Sequence, residues 1–178
     1  MSKIKVAITG GIGSGKSLAL QYISAMGYPV FSCDEIYKEV IQSKQYIKQI
    51  ASIFPNVITE GKVDRKKLAG LVFNDDMKRA QLNNIAHPLI MQTLNSEMDK
   101  CGSNLVFAEV PLLFEGGYDE LFDKIIYIYR DKQARISNVM LRDGVSAVEV
   151  ERRIAVQFNP DTEEGKYRLQ KANVYVVE

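Results

Sequence analysis

The sequence predicts an α/β protein built on a central parallel sheet. Two observations carry that expectation. Short runs of β-branched, apolar residues alternate with stretches of helical periodicity along the chain. The first run, Ile4 to Thr9, ends in a glycine-rich loop that opens a helix, and a second short run follows at Val30. Strand, loop, helix and strand in that order are the signature of a parallel βαβ unit.

Each element can be justified in order. Ile4 to Thr9 has the continuous apolar character of a strand covered on both faces. Gly10 to Gly15 is the loop. Ser17 to Met26 reads as a helix with Leu18, Tyr22 and Ile23 at helical spacing, stopped by Gly27 and Pro29. Val30-Phe31-Ser32 is the second strand. Asp34 to about Phe54 follows a helical pattern through Ile36, Val40, Ile47 and Ile50, and Thr59-Glu60-Gly61-Lys62 reads as a turn. Asp64 to Phe73 and Asp76 to Met98 read as further helices, with Pro88 expected to kink or split the second. This whole stretch carries little strand signal and is read as an inserted helical lobe. Leu105 to Ala108 is a buried strand running into Glu109, and Ile125 to Tyr129 is the next strand. Gln133 to Arg142 is helical. Ser146-Ala147-Val148-Glu149 is a capping box that starts a helix from Ala147 to about Phe158, and Val174 to Val177 is a last strand. The expected division of the single domain 1–178 is a sheet core at about 1–33, 104–130 and 172–178, a lobe at about 34–103 and a lid at about 131–171.

Composition narrows the function. Twenty-three Lys and Arg against 22 Asp and Glu give a net charge of +1, which argues against a protein that coats nucleic acid or a membrane surface. A 25% charged, 46% hydrophobic chain is not disordered. Cys33 and Cys101 form no CxxC and no disulfide framework, and the lone His87 makes a His-rich metal site or a Ser-His-Asp hydrolase hard to build. No apolar run approaches the ~18 residues of a membrane span, and Lys3 to Ile8 is not a signal-peptide start. A soluble, cytoplasmic protein is expected.

The strongest motif is Gly10-Gly11-Ile12-Gly13-Ser14-Gly15-Lys16-Ser17, which fits G-x-x-x-x-G-K-[ST]. Glycines let the backbone curl so that N–H groups point inward at phosphate oxygens, and the following helix offers them its positive end. Lys16 supplies charge at the β- and γ-phosphates, and the Ser17 hydroxyl is placed to ligate Mg²⁺. The motif sits between a strand and a helix, as its mechanism requires. Binding of a nucleoside triphosphate with Mg²⁺ by this loop follows, within a P-loop NTPase three-layer fold.

Other residues sort the kind of P-loop protein. No guanine-reading Asn-Lys-x-Asp and no ABC-type signature occurs. A small-molecule kinase remains, which needs an acceptor lobe, a base and mobile cations. Asp34 stands just past the second strand, at the sheet end where α/β proteins bind ligands. It is placed either to take a proton from an acceptor hydroxyl or to cap the helix that follows, and spacing leaves both open. Glu109 ends an apolar strand as a Mg²⁺-holding acid does, directly or through water. His87 either touches the acceptor or caps a kink before Pro88. Six of the eight arginines lie at Arg130 or later. Arg135 and Arg142 share one helix face, Asp143-Gly144 is a hinge, and Arg152, Arg153 and Gln157 follow on the next helix. Such a helix pair can close as a lid and bring a guanidinium to the phosphates.

Several further segments resemble the dephospho-CoA kinase family. These are Ala7 to Ser17, Val30 to Asp34, Val63-Asp64-Arg65-Lys66-Lys67-Leu68, Ile85-Ala86-His87-Pro88-Leu89-Ile90, Val110-Pro111-Leu112-Leu113-Phe114-Glu115 and Gln133-Ala134-Arg135, with Arg142 and Gln157 downstream. The resemblance implies ATP-dependent phosphorylation of the ribose 3′-hydroxyl of dephospho-CoA. It implies Asp34 as base, with Lys16 and Arg142 completing the catalytic set. It places ATP at Gly11, Ile12, Gly13, Ser14, Gly15, Lys16, Ser17 and Leu18, makes the helical lobe at about 34–103 the CoA-binding lobe, and puts Thr9, Asp34, Lys38, His87, Leu112 and Arg135 at the acceptor and Ser17 and Glu109 (through water) at the metal. The expected partner is that small molecule, with no nucleic acid and no membrane, in a monomer or weak homo-oligomer. Departures from the family pattern are Ser32 for its first acid, Leu18 for a Thr and Glu109 for an Asp. The family also runs on past the last strand through an Asn-x-Gly loop and a helix, where this sequence stops at Glu178. The rival readings are a kinase for another small hydroxyl acceptor and a non-catalytic nucleotide-binding relative.

Overall fold

A computed structural model describes residues 3–73 and 75–178 of the chain. It divides into two compact units, residues 1–31 with 101–178, and residues 32–100.

The first unit is built on a five-stranded sheet. Its strands are β1 (Ile4–Thr9), β2 (Val30–Ser32), which ends at the unit boundary, β5 (Leu105–Glu109), β6 (Lys124–Ile128) and β7 (Val174–Val177). Their spatial order is β2-β5-β1-β6-β7. β1 pairs in parallel with both β5 and β6, with Val6 opposite Phe107 and Ala7 opposite Ile125. β7 continues the parallel pairing on β6. β1 has a strand on each side and its Ala7 and Ile8 are fully buried, which explains why its sequence is apolar without alternation. Helix α1 (Lys16–Ala25) returns the chain toward β2 and lays Ile23 against Val6, Ile8 and Phe107. α6 (Lys132–Asp143) is capped by Asp131, whose carboxylate accepts from the Ala134 N–H. It ends at Gly144 in the left-handed conformation, φ 68°. α7 (Ala147–Ala155) starts under the Ser146 hydroxyl and packs Val150 on Ile136 and Val139. A short helix, α8 (Glu163–Leu169), capped by Thr162, precedes β7.

The second unit holds four helices and a hairpin: α2 (Cys33–Val40), α3 (Lys44–Ile53), the strands β3 (Ile58–Thr59) and β4 (Lys62–Val63), α4 (Arg65–Val72) and α5 (Asp76–Lys100). α2, α3 and α4 all pack on α5. Ile36, Val40, Ile50, Leu68, Leu89 and Leu94 are buried there, and complete burial of each such side chain stabilises by roughly 1.5–3 kcal/mol.

Two expectations are corrected in this unit. The single helix expected over Asp34 to Phe54 is two, because Ser43 breaks it: its hydroxyl accepts from the Tyr46 N–H and starts α3 anew. Pro88 does not split α5, which runs for 25 residues with the proline inside it. Ile85 and Ala86 before Pro88, and Leu89, Ile90 and Met91 after it, are all buried, so packing holds both halves in register. The expected turn is present at Glu60-Gly61, where it joins a small antiparallel hairpin. Both turn residues have positive φ (52° and 74°), the geometry that matches hairpin twist.

Among the described residues no helix is long and apolar enough to cross a membrane. Cys33 and Cys101 form no disulfide.

Candidate active site

The phosphate loop joins the carboxyl end of β1 to the first turn of α1. Gly15 occupies the N-cap with φ 102°, and Gly13 has φ 76°, conformations that glycine adopts without strain. At Gly13 space is short as well, since a Cβ there would lie 2.6 Å from the Arg135 carbonyl oxygen. A Cβ on Gly11 would run into the Arg135 guanidinium. The Ser14 hydroxyl is buried in the loop with no hydrogen-bond partner. A buried, unpartnered donor in a glycine cradle at a helix N-terminus suits a phosphate oxygen.

Lys16 lies inside this turn. Its ammonium donates to the carbonyls of Gly10 (2.7 Å) and Gly11 (3.0 Å). Burial pulls its pKa below the ordinary 10.5, Glu109 pulls it back up, and Arg135 and Arg142 push it down. Glu109 closes β5 opposite Ile8 of β1, which puts the strand-end acid within electrostatic reach of Lys16. Ser17 and Leu18 sit exposed in the first turn of α1. Thr9 is buried at the end of β1, where it lines a small recess with Gly10, Gly11, Phe114, Tyr127 and Phe158. Burial pushes the Tyr127 phenol there up to about 12. Leu112 is partly exposed in the turns after β5.

The side chains that hold the outside of the loop come from α6 and the end of α7. Arg135 is only 6% exposed, and its Nε donates to the Ile12 carbonyl at 2.9 Å. Its Nη2 donates to Gln157 Oε1 at 3.2 Å, and that same oxygen accepts from the Ile12 N–H at 2.9 Å. Asn138, three residues beyond Arg135 and so on the same helix face, donates to the Gly13 carbonyl at 3.0 Å. Arg135 was expected at the acceptor, yet its bonds go to the phosphate loop and Gln157. Asn138 was not singled out by sequence at all. Its spacing from Arg135 was the available signal, but it means nothing until α6 is known to face the loop. Arg142 lies on the exposed last turn of α6 and pairs with Asp143, Nε to Oδ1 at 2.6 Å. That pairing raises its pKa further. Glu115 accepts from the Phe158 N–H at 2.7 Å, and the Phe158 ring stacks on Phe114 at 4.4 Å.

The remaining expected residues belong to the helical unit. Asp34 is in the first turn of α2, but the cap is Ser32, whose hydroxyl accepts from the Asp34 N–H at 3.2 Å. The capping alternative for Asp34 is therefore set aside. Ser32, read as a departure from a family acid, is the residue that caps. The Asp34 carboxylate is exposed and takes no hydrogen bond or ion pair from the described residues. Lys38, one turn on, is paired with Glu35 at 2.6 Å in solvent. His87 is half-buried within α5, and burial lowers its pKa.

Comparison with known proteins shows the family. The sequence profile described as Dephospho-CoA kinase matches residues 4–177. The dephospho-CoA kinase of Fusobacterium nucleatum is 34% identical over 178 residues, spanning 99% of this chain and 90% of that protein. That of Thermus thermophilus is 34% identical over 163 residues, 92% of this chain and 79% of that one. Among solved structures, TT1252 from Thermus thermophilus has a TM-score of 0.79 at 31% identity, covering 100% of this chain and 90% of its own. A dephospho-CoA kinase from Campylobacter jejuni has a TM-score of 0.61 at 26% identity, covering 98% and 87%. With its phosphate loop, its parallel sheet and a match along nearly its whole length, the chain belongs to the dephospho-CoA kinase family.

Proposed function

We propose that the protein transfers the γ-phosphoryl group of ATP to the ribose 3′-hydroxyl of dephospho-CoA, giving coenzyme A and ADP. The observation that carries this reading is the phosphate loop, held from outside by Arg135, Asn138 and Gln157, in a chain that matches one kinase family from residue 4 to 177. Phosphoryl transfer asks little covalent chemistry of a protein; positioning and charge carry it. The loop N–H groups and Lys16 hold the phosphates. Asp34, whose exposed carboxylate takes no bond from the other described residues, orients the 3′-hydroxyl and takes its proton. Arg142, exposed at the end of α6, exchanges Asp143 for the transferred group. Arg135 supports the loop. Thr9, Lys38, His87 and Leu112 are assigned to acceptor contacts.

Mg²⁺ fits the donors present. No cluster of three or more His, Cys, Asp or Glu occurs among the described residues, so an all-protein cage is not on offer. Mg²⁺ needs only one or two protein oxygens beside phosphates and water, and the Ser17 hydroxyl and the Glu109 carboxylate are of that kind. When bound it neutralises charge on the β- and γ-oxygens. We place the protein in the cytoplasm, as a monomer or weak homo-oligomer acting on a small molecule.

The test is Mg²⁺-dependent ADP release with dephospho-CoA, adenosine, AMP and shikimate as parallel acceptors and Lys16→Ala as the blank. Coenzyme A should form, and dephospho-CoA alone should give turnover. Equal turnover of another acceptor, or none with any, would sink the reading.

A further inference from the structure

We infer that Asp143 is a positioning residue for phosphoryl transfer. Its carboxylate holds Arg142 of α6 and Arg153 of α7 in the free protein, yields both guanidiniums to the transferred group, and takes them back so that ADP can leave. The inference rests on a nucleotide lying in the phosphate loop.

The carboxylate joins two helices. Arg142 Nε donates to Oδ1 at 2.6 Å and its Nη2 to Oδ2 at 3.0 Å, so one guanidinium takes both oxygens. Arg153 Nη1 donates to the same Oδ2 at 3.4 Å, while its Nη2 donates to Glu149 one turn back. Asp143 and Arg153 meet because Gly144, at φ 68°, ends α6 and turns the chain toward α7. The Asp143 side chain is 26% exposed, against 61% for Arg142 and 42% for Arg153. The carboxylate is therefore the fixed member, and the guanidiniums are the ones with room to swing.

Helix stability does not explain an acid at this position. Asp143 is the last residue of α6, where a negative charge opposes the helix dipole and a cation is preferred. The Arg142 hydrogen bond holds its pKa below the ordinary 3.8, so the charge is present at neutral pH.

Both arginines lie toward the phosphate loop. Arg153 stands three residues after Val150, on the same face of α7, and one turn before Gln157. Val150 packs on α6, and Gln157 accepts from the Ile12 N–H of the loop. Arg142 is near enough to Lys16 to push its pKa down. A phosphoryl group in transfer spreads its charge over three oxygens, and is a stronger partner for two guanidinium forks than one carboxylate. Exposed ion pairs are weak, so the exchange runs easily in both directions. ADP lacks the transferred group, and the carboxylate regains the arginines.

The test is calorimetric titration with ADP and stopped-flow displacement of a fluorescent ADP analogue from the whole protein. Asp143→Asn keeps the shape and loses the charge, which leaves the arginines on the β-phosphate. It should slow ADP release roughly five-fold and tighten ADP binding by a similar factor, with the melting temperature unchanged. Asp143→Glu, which keeps the charge, should stay within about two-fold of the parent. Arg153→Gln should raise KM for ATP roughly three- to ten-fold. Adding Asp143→Asn to a protein that already carries Arg142→Gln and Arg153→Gln should change ADP release no further. Release unchanged or faster in Asp143→Asn, or slowed equally in the protein without the two arginines, would overturn the inference. An unchanged KM for ATP in Arg153→Gln would overturn the part given to α7. Failure of the unmodified protein to bind ADP would instead sink the underlying function, and is seen before any variant is compared.

Discussion

The phosphate loop and the helical unit solve opposite problems. Around the loop the outside is tied down: Ile12 is gripped at both its N–H and its carbonyl, Gly13 at its carbonyl, and Lys16 rests on Gly10 and Gly11, which leaves the Ser14 hydroxyl inside for a ligand. In the helical unit the groups assigned to the acceptor are left unspent. Among the described residues the Asp34 carboxylate takes no hydrogen bond or ion pair, and Lys38 has an exposed pairing with Glu35. The difference follows from the ligands. A triphosphate is the same in every turnover and rewards donors fixed in advance, because no reorganisation is then needed during transfer. A long flexible acceptor is ordered by the groups it meets, which must be free to meet it.

Breaking the committed region at its centre should have the largest effect. Lys16→Ala removes the ammonium that lies inside the turn and should lower kcat at least ~10³-fold. The pH dependence of kcat/KM for ATP, which reports the free enzyme, sharpens the point. The charged ammonium is the active form and its pKa lies below the ordinary 10.5. The rate should therefore fall as pH rises, on an alkaline limb that begins below the range of an exposed lysine. A flat profile up to that range would remove Lys16 from the rate.

Asp34→Asn tests the uncommitted region. Because the exposed carboxylate is bonded to none of the described residues, the fold should be untouched, while kcat falls by roughly 10²–10³-fold. KM for ATP should stay within about two-fold, since phosphate binding is assigned to the other unit. Turnover near the parent level would end the base assignment.

The two regions also differ in how far the sequence exposed them. The loop, its strand and its helix lie within one short segment whose glycines and Lys16 have local reasons, so they could be read directly. Asp34 could be placed at a strand end, but only the structure separated it from capping, by giving that task to Ser32. Arg135 could not be placed, because its partners are Ile12, 123 residues away, and Gln157, 22 residues away. No periodicity reports such a pairing. The break at Ser43 was hidden because apolar spacing continues through it from Val40 to Ile47, and the β3–β4 hairpin because two-residue strands are too short to alternate. α8 has seven residues, and its Thr162 cap was the signal that went unread.

The Arg135–Gln157 grip allows a finer test. Arg135→Ala leaves Ile12 and Gln157 short of a buried, charged donor and should cost about 2–3 kcal/mol in stability. It should also raise KM for ATP about ten-fold. Arg135→Lys should not restore it, because an ammonium cannot serve two acceptors in the fixed fork of a guanidinium. Gln157→Ala should shift KM for ATP less. The double variant should cost less than the two separate effects together, since both act on Ile12. Additive effects in urea unfolding and in KM would mean the two residues do not work as a unit.

The smallest effect belongs to His87. Its pKa in the folded chain lies below the ordinary 6.5 because burial disfavours the imidazolium. Between the two values the unfolded chain binds more protons, so stability is present above about 6.5 and is lost as pH falls through the folded value. His87→Gln removes the titrating ring and should flatten that part of the curve. Urea unfolding of both proteins at pH 7 and pH 5 checks it. The parent should lose more stability than the variant between the two, and equal losses would show that the acid-sensitive groups lie elsewhere. The same variant tells whether His87 also serves the acceptor. A packing role alone leaves KM for dephospho-CoA unchanged at pH 7, where the ring is neutral, whereas a contact raises it.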